Sequence, residues 1–247
     1  PVAPMARPLP VAVDVGPAVH QQAGLSRYTT ELVAALQATC AEDVALRLLY
    51  NHHSGHTLPA TLAPLPTVTV PMNQYIWRLS ILASQLARVN YRPLRRAVAD
   101  SRVYHATEHL LPRLACPTVL TVHDLIFEHY PQHHTWRNRL FLRTAMPLFV
   151  AAADRIIAVS RHTAQDLTAV YGVPPAKIDV IYEGVDPQFR PPLPAEVQAI
   201  RARYSPDRPY LLMLGTLEPR KNHALALALL ARLKAQGYPH RLLVGGG

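Results

Sequence analysis

Cysteine is scarce: Cys40 and Cys116 are the only two in 247 residues. They stand far apart, in neither a C-x-x-C pair nor a metal-ligand spacing, which points to a reducing compartment and plain core roles. Long apolar runs are missing too. Stretches such as "LALALLA" and "MPLFVAAA" fall far short of the roughly 18 residues that span a bilayer, and no charged-then-apolar leader opens the chain. The expectation is a soluble cytoplasmic protein, at most peripheral at the inner face of the membrane. The net charge is +9, yet no block of five or more Lys/Arg occurs and no nucleic-acid module pattern matches, so the charge reads as dispersed and nucleic acid is not an expected partner. The chain shows no short-period repeat. Opening on Pro1 and stopping at Gly247 directly after an apolar run, it reads as a fragment.

What is present is apolar content of 49% and 24 prolines. The first suffices for a real core, and the second is about twice average usage. Short β-rich runs alternate with helical patterns, the arrangement of a parallel sheet with helices on both faces. Strands are expected at 10–16, 44–50, 67–71, 102–107, 117–124, 155–160, 177–186, 209–215 and 241–247. Helices are expected at 26–38, 75–89, 93–99, 135–153 (kinked at Pro147), 195–204 and from Glu218 onward. A further helix should run from a Ser160 cap to Tyr171 and close at Gly172. The proline-rich "PQFRPPLP" (187–194) reads as a semi-rigid linker. The expected organisation is α/β: a Rossmann-like first domain at 1–190, linker and helix at 191–207, and the start of a second Rossmann-like domain at 208–247.

In open α/β sheets ligands bind beyond the carboxyl ends of the strands. His105, Glu108, His123 and Asp124 sit at such ends. His123 could bond a substrate hydroxyl with the adjacent carboxylate orienting it, or be structural. Gly24 precedes a helix and would let a phosphate or sugar approach the backbone N–H groups, or be a plain turn glycine. "NHHSGH" (51–56) and "QHH" (132–134) lie in polar loops without fixed ligand spacing, so no metal site is expected. Arg220 and Lys221 stand where a helix should begin, with Glu218 and Pro219 in front of them. The positive helix end would repel two cations, which either point to water or hold a diphosphate.

At "GTLEPRKN" the chain resembles the donor-diphosphate motif of retaining glycosyltransferases of family 4, particularly mannosyltransferase-like members. In order, "AGLSRYTTEL" resembles the family's G-[IL]-x-R-Y loop and helix. "TVHDLIFEHYP", "RIIAVSRHTAQDL" and "KIDVIYEGVD" resemble its H-D, V-S-x-x-[ST] and V-I-x-x-G-V-D segments. The resemblance implies a GT-B architecture, with an acceptor domain followed by a nucleotide-sugar domain. It implies a hexose, mannose by preference, moved with retention from GDP-mannose or a UDP-hexose to a glycan or lipid-linked acceptor. It needs no metal and no other cofactor. His123 would be catalytic at the sugar. Arg220, Lys221 and Gly24 would hold the donor diphosphate, and Glu108, Asp124 and Glu183 are candidates for acceptor or sugar contacts. Two departures stand out. Glu183 replaces the family's asparagine, and the downstream E-x7-E carboxylates are not among the 247 residues, which are expected to be inactive by themselves. Rival readings are a sugar-nucleotide epimerase or phosphorylase-like enzyme, and a non-catalytic module for anionic lipid or polysaccharide.

Overall fold

A computed structural model describes residues 7–52, 55–205 and 207–246. The chain divides into two compact units, residues 1–183 and 184–247. The division falls ahead of the boundary expected at residue 190. The last strand of the first unit ends at Val180, and at 186–189 the chain makes its own turn, in which Phe189 N donates to the Asp186 carbonyl.

In the first unit, β1 (Leu9–Asp14) is followed by the short α1 (Gly16–Val19), α2 (Ala23–Thr39), β2 (Val44–Asn51) and β3 (Thr67–Val70). Then come α3 (Gln74–Leu86), β4 (Val103–Ala106), β5 (Thr118–Val122), α4 (Ile126–His129) and α5 (Trp136–Ala152). β6 (Arg155–Ala158), α6 (Arg161–Tyr171) and β7 (Ile178–Val180) complete it. All seven strands pair in parallel, in the order β3-β2-β1-β4-β5-β6-β7. Strands buried on both faces are apolar almost throughout, because helices cover both sides. One face packs Ala12, Tyr104, Leu120 and Ile156 against α3 and α5, through Trp77, Ile81, Met146 and Phe149. The other packs Val13, Leu46 and Leu48 against Val19 and Val33. This is the doubly wound arrangement, and its order reverses between β1 and β4.

Several local rules hold in detail. Ser160 caps α6 by accepting from Thr163 N at 3.0 Å, and Gly172 stops it in the left-handed conformation at φ 65°. Pro147 lies within α5, which continues through it. Two expectations fail. The helix expected at 93–99 is a single 3-10 turn, Arg92–Leu94, followed by turns. The strand expected at 177–186 is only three residues, because after Ile181 N donates to the Ala158 carbonyl the chain becomes exposed.

The second unit holds α7 (Pro194–Tyr204), β8 (Tyr210–Leu214), α8 (His223–Ala235) and β9 (Arg241–Gly245), with β8 and β9 paired in parallel. Residues 187–193, within the expected linker, have no regular structure. Among the described residues no helix is long and apolar enough to cross a membrane.

Candidate active site

The reversal of strand order opens a crevice at the carboxyl ends of β1, β4 and β5, and the chemistry-bearing residues of the first unit collect there. β5 delivers His123. Its Nε2 lies 2.9 Å from the Thr107 carbonyl and its Nδ1 lies 2.9 Å from Glu183 Oε1. A carbonyl oxygen only accepts, so Nε2 carries hydrogen, and Nδ1 is turned to the Glu183 carboxyl group. Tyr28 of α2 packs edge-on against the imidazole at 4.7 Å, and its hydroxyl pairs with Thr121 at 3.3 Å. The His123 backbone is pinned as well: its N–H donates to His109 Nε2 at 3.3 Å and its carbonyl accepts from Thr163 at 3.1 Å. The ring is therefore held in place from α2, α6 and the segments that follow β4 and β7.

Asp124 does not orient the imidazole. It accepts from Ile126 N at 3.1 Å, capping the short turn that follows. The orienting carboxylate is Glu183, 60 residues away in sequence, and only the fold brings it to His123. His105 lies beneath the crevice, bonded to Thr121 at 2.8 Å, and burial lowers its pKa to about 4. It is a neutral structural histidine. Burial also lowers His109 to about 4, with the Asp124 charge opposing and His123 adding to the fall.

Glu108 follows β4. Burial raises its pKa, against the pull of Arg78, a hydrogen bond from Gln22 and the His123 charge. Beside it, sequence reasoning missed Asp14. That side chain ends β1 at 2% exposure; its Oδ1 accepts from Gly16 N at 2.8 Å, and its Oδ2 is buried with no hydrogen-bond partner. Burial and then the Glu108 charge raise its pKa to about 7, against the Gly16 bond. The sequence did carry a signal, a single carboxylate closing an otherwise apolar strand. Gly24 lies in the first turn of α2, whose helix begins at Ala23 rather than 26. A Cβ there would meet nothing within 4 Å, so packing does not require glycine, and the space beside its backbone is open.

In the second unit the helix of the "RKN" stretch begins later than expected. Arg220 and Lys221 belong to a separate 3-10 turn, Pro219–Lys221. Asn222, left-handed at φ 54°, breaks the chain direction and caps α8 by accepting from Leu225 N at 3.2 Å. The two cations thus precede the helix instead of crowding its first turn. Arg220 Nε donates to Glu218 at 2.8 Å, and Thr216 and Arg220 together lower the Glu218 pKa. The Lys221 stem lies along Gly215, where an added Cβ would sit 3.4 Å from its Cε. Gly246 approaches the same backbone so closely that a Cβ would fall 2.5 Å from the Gly215 carbonyl oxygen, at φ +120°. Among the described residues no three His, Cys, Asp or Glu converge as metal ligands; His53 and Ser54 of "NHHSGH" lie outside the described residues.

The doubly wound first unit, followed by a second unit with a parallel β-α-β, has the GT-B glycosyltransferase build. Its structural likeness is to Anabaena HepE in complex with UDP and glucose, at TM-score 0.59 and 15% identity over 95% of this chain and 60% of that one. The profile of Glycosyltransferase Family 4 matches residues 23–189, and the chain belongs to that family. The O-antigen chain mannosyltransferase B of Escherichia coli is 23% identical over 212 residues, covering 83% of this chain and 55% of that protein. The chain thus spans about half the length of this curated relative. A Listeria monocytogenes protein described as a UDP-N-acetylglucosamine 2-epimerase shares the fold at TM-score 0.53 and 12% identity, covering 98% of this chain and 64% of that one.

Proposed function

We propose that the chain serves a retaining glycosyltransferase that moves a hexose from a nucleoside-diphosphate sugar to a glycan or lipid-linked acceptor at the inner face of the membrane. The observation that carries this reading is His123, locked between the Thr107 carbonyl and Glu183 at the carboxyl end of β5, next to the reversal of strand order. An imidazole held in that position suits a sugar whose bond to phosphate is breaking, with a sugar hydroxyl competing with Glu183 for Nδ1. Buried Glu108, with Glu183 and Asp124, is suited to acceptor or donor-sugar hydroxyls. Gly24 leaves open space beside helical N–H groups, which favours an oxyanion. Arg220 and Lys221 supply a planar fork and a point charge for a diphosphate, which would compete with Glu218 for Arg220. The leaving phosphate assists acceptor deprotonation, so the scheme needs neither a protein nucleophile nor a metal.

Mannose and a GDP donor follow from the "GTLEPRKN" resemblance and the E. coli relative's name, while the UDP in the HepE complex favours a UDP-hexose. A panel of labelled nucleotide sugars, incubated with the full-length protein and a membrane extract, decides. Label moving to glycan or lipid, and lost in His123→Ala, supports transfer. The Listeria neighbour motivates one rival, epimerisation, in which label would stay in the nucleotide sugar as a changed epimer without any acceptor.

A further inference from the structure

The segment that carries His123 continues into α4, a single turn of four residues, Ile126–His129. A helix that short has little stability of its own, so its place is set by what its side chains meet. Phe127 turns inward at 1% exposure, its ring 6.3 Å from that of His109, which accepts the His123 N–H. A displacement of α4 is thereby passed to the backbone of His123. The next two residues of α4 both find α6. Glu128 accepts from the Tyr171 hydroxyl at 3.0 Å, with Arg143 of α5 3.6 Å away, and His129 Nε2 lies 3.1 Å from Asp166 Oδ2. His162, one turn earlier on α6, faces the same carboxylate at 3.6 Å.

α6 thus grips the His123 segment at three points. Thr163 donates to the His123 carbonyl at 3.1 Å, Asp166 takes His129, and Tyr171 takes Glu128. At about 3.6 residues per turn, positions 163, 166 and 171 fall on one side of the helix, so a single element delivers all three contacts. α6 is itself well anchored: Ser160 caps it, Gly172 closes it, and Leu167 is fully buried in the core. Packing alone asks for neither the Asp166 carboxylate nor the Tyr171 hydroxyl. The Tyr171 ring lies against the core, where a phenylalanine ring would serve as well, and aspartate is a poor residue for a helix interior. What both groups add is a fixed position for α4.

We propose that Asp166 and Tyr171 are positioning residues for His123, holding α4 so that the imidazole keeps its place at the sugar. The role at the sugar rests on the transferase reading; the hold on the ring is measured without any transfer. The test uses the full-length protein and its double variant Asp166→Ala/Tyr171→Phe. His129 and His162 are exposed and Glu128 keeps Arg143, so neither change strands a buried partner, and an unchanged circular dichroism melt confirms folding. The first readout is the His123 Nε2 proton, bonded to the Thr107 carbonyl and seen as a downfield NMR signal that His123→Gln removes. Expected are broadening of this signal in the double variant and a fall in kcat of roughly fivefold to tenfold with donor KM unchanged. Tyr171→Phe alone should show the same two effects at smaller size. Asp166→Asn/Tyr171→Phe, whose amide oxygen still accepts from His129, should recover part of both. The proposal is overturned by an unaltered ring signal, by an altered signal with kcat unchanged, or by no recovery in the Asp166→Asn form. A ring signal that responds as expected in a protein that transfers no sugar would remove the transferase reading and leave the hold on His123 standing.

Discussion

Asp14→Asn separates the electrostatics of the crevice from its packing. Asp14 is buried at the end of β1, and its pKa is raised to about 7 from 3.8. Burial is the main cause, the Glu108 charge adds to it, and the Gly16 N–H opposes it. Between these two values the folded chain keeps a proton that the unfolded chain has released. The unfolded state then binds fewer protons, so stability falls as pH rises from about 4 to about 7 and is flat beyond. A gap of about three pH units at about 1.4 kcal/mol each corresponds to roughly 4 kcal/mol at full extent. The amide introduced by the substitution retains an oxygen for Gly16 N and carries no charge. In urea unfolding, Asp14→Asn should match the native chain at about pH 4 and exceed its stability by about 2–4 kcal/mol at about pH 8. Glu108 has the same sign of shift and remains in both proteins, so the difference between them reports Asp14 together with its coupling to Glu108. A difference that does not change with pH, or a variant less stable at pH 8, would refute the reasoning.

Other perturbations have equally defined outcomes. Ser160→Ala removes the cap on Thr163 N and should cost about 1 kcal/mol in urea unfolding; no loss would mean that water replaces the cap. Gly246→Ala puts a Cβ 2.5 Å from the Gly215 carbonyl oxygen at a positive φ, so amide exchange of Leu212 and Leu243 in the β8–β9 pair should accelerate, reflecting about 1–3 kcal/mol of strain. Unchanged protection would contradict the close approach. Glu183→Ala frees His123 Nδ1; with Glu183 48% exposed, the bond contributes about 1 kcal/mol after screening, so transfer by the full-length protein should fall roughly fivefold in kcat with donor KM unchanged. Glu183→Gln keeps an acceptor oxygen and should retain more activity than the alanine variant; the opposite ranking would remove Glu183 from the positioning of His123.

The alternation of strand and helix, and therefore the doubly wound sheet, was legible because buried parallel strands must be apolar and their covering helices amphipathic. α6 was legible to the residue, since Ser160 and Gly172 are the chemistry that starts and stops a helix. Elements whose ends depend on distant partners were not. β7 stops at Val180 for want of further pairing, and 93–99 reads as helical although Pro93 and its neighbours settle into a 3-10 turn. Asn222 was overlooked as the α8 cap, which placed Arg220 and Lys221 at a helix start that in fact lies beyond them. Strand ends pointed to His123 and Glu108 as candidates, because carboxyl ends face the crevice. The Glu183 partner is a product of topology: it meets His123 across segments that the sequence keeps well apart.

The most direct test of the account follows the anomeric carbon. The full-length protein is supplied with labelled GDP-mannose or a UDP-hexose and a membrane extract, and the configuration of the new glycosidic bond is read by NMR. The account predicts transfer with the donor's configuration kept, dependent on His123 and weakened for the donor by Arg220→Ala/Lys221→Ala. An inverted product, or label that returns only as an epimerised nucleotide sugar, would contradict it.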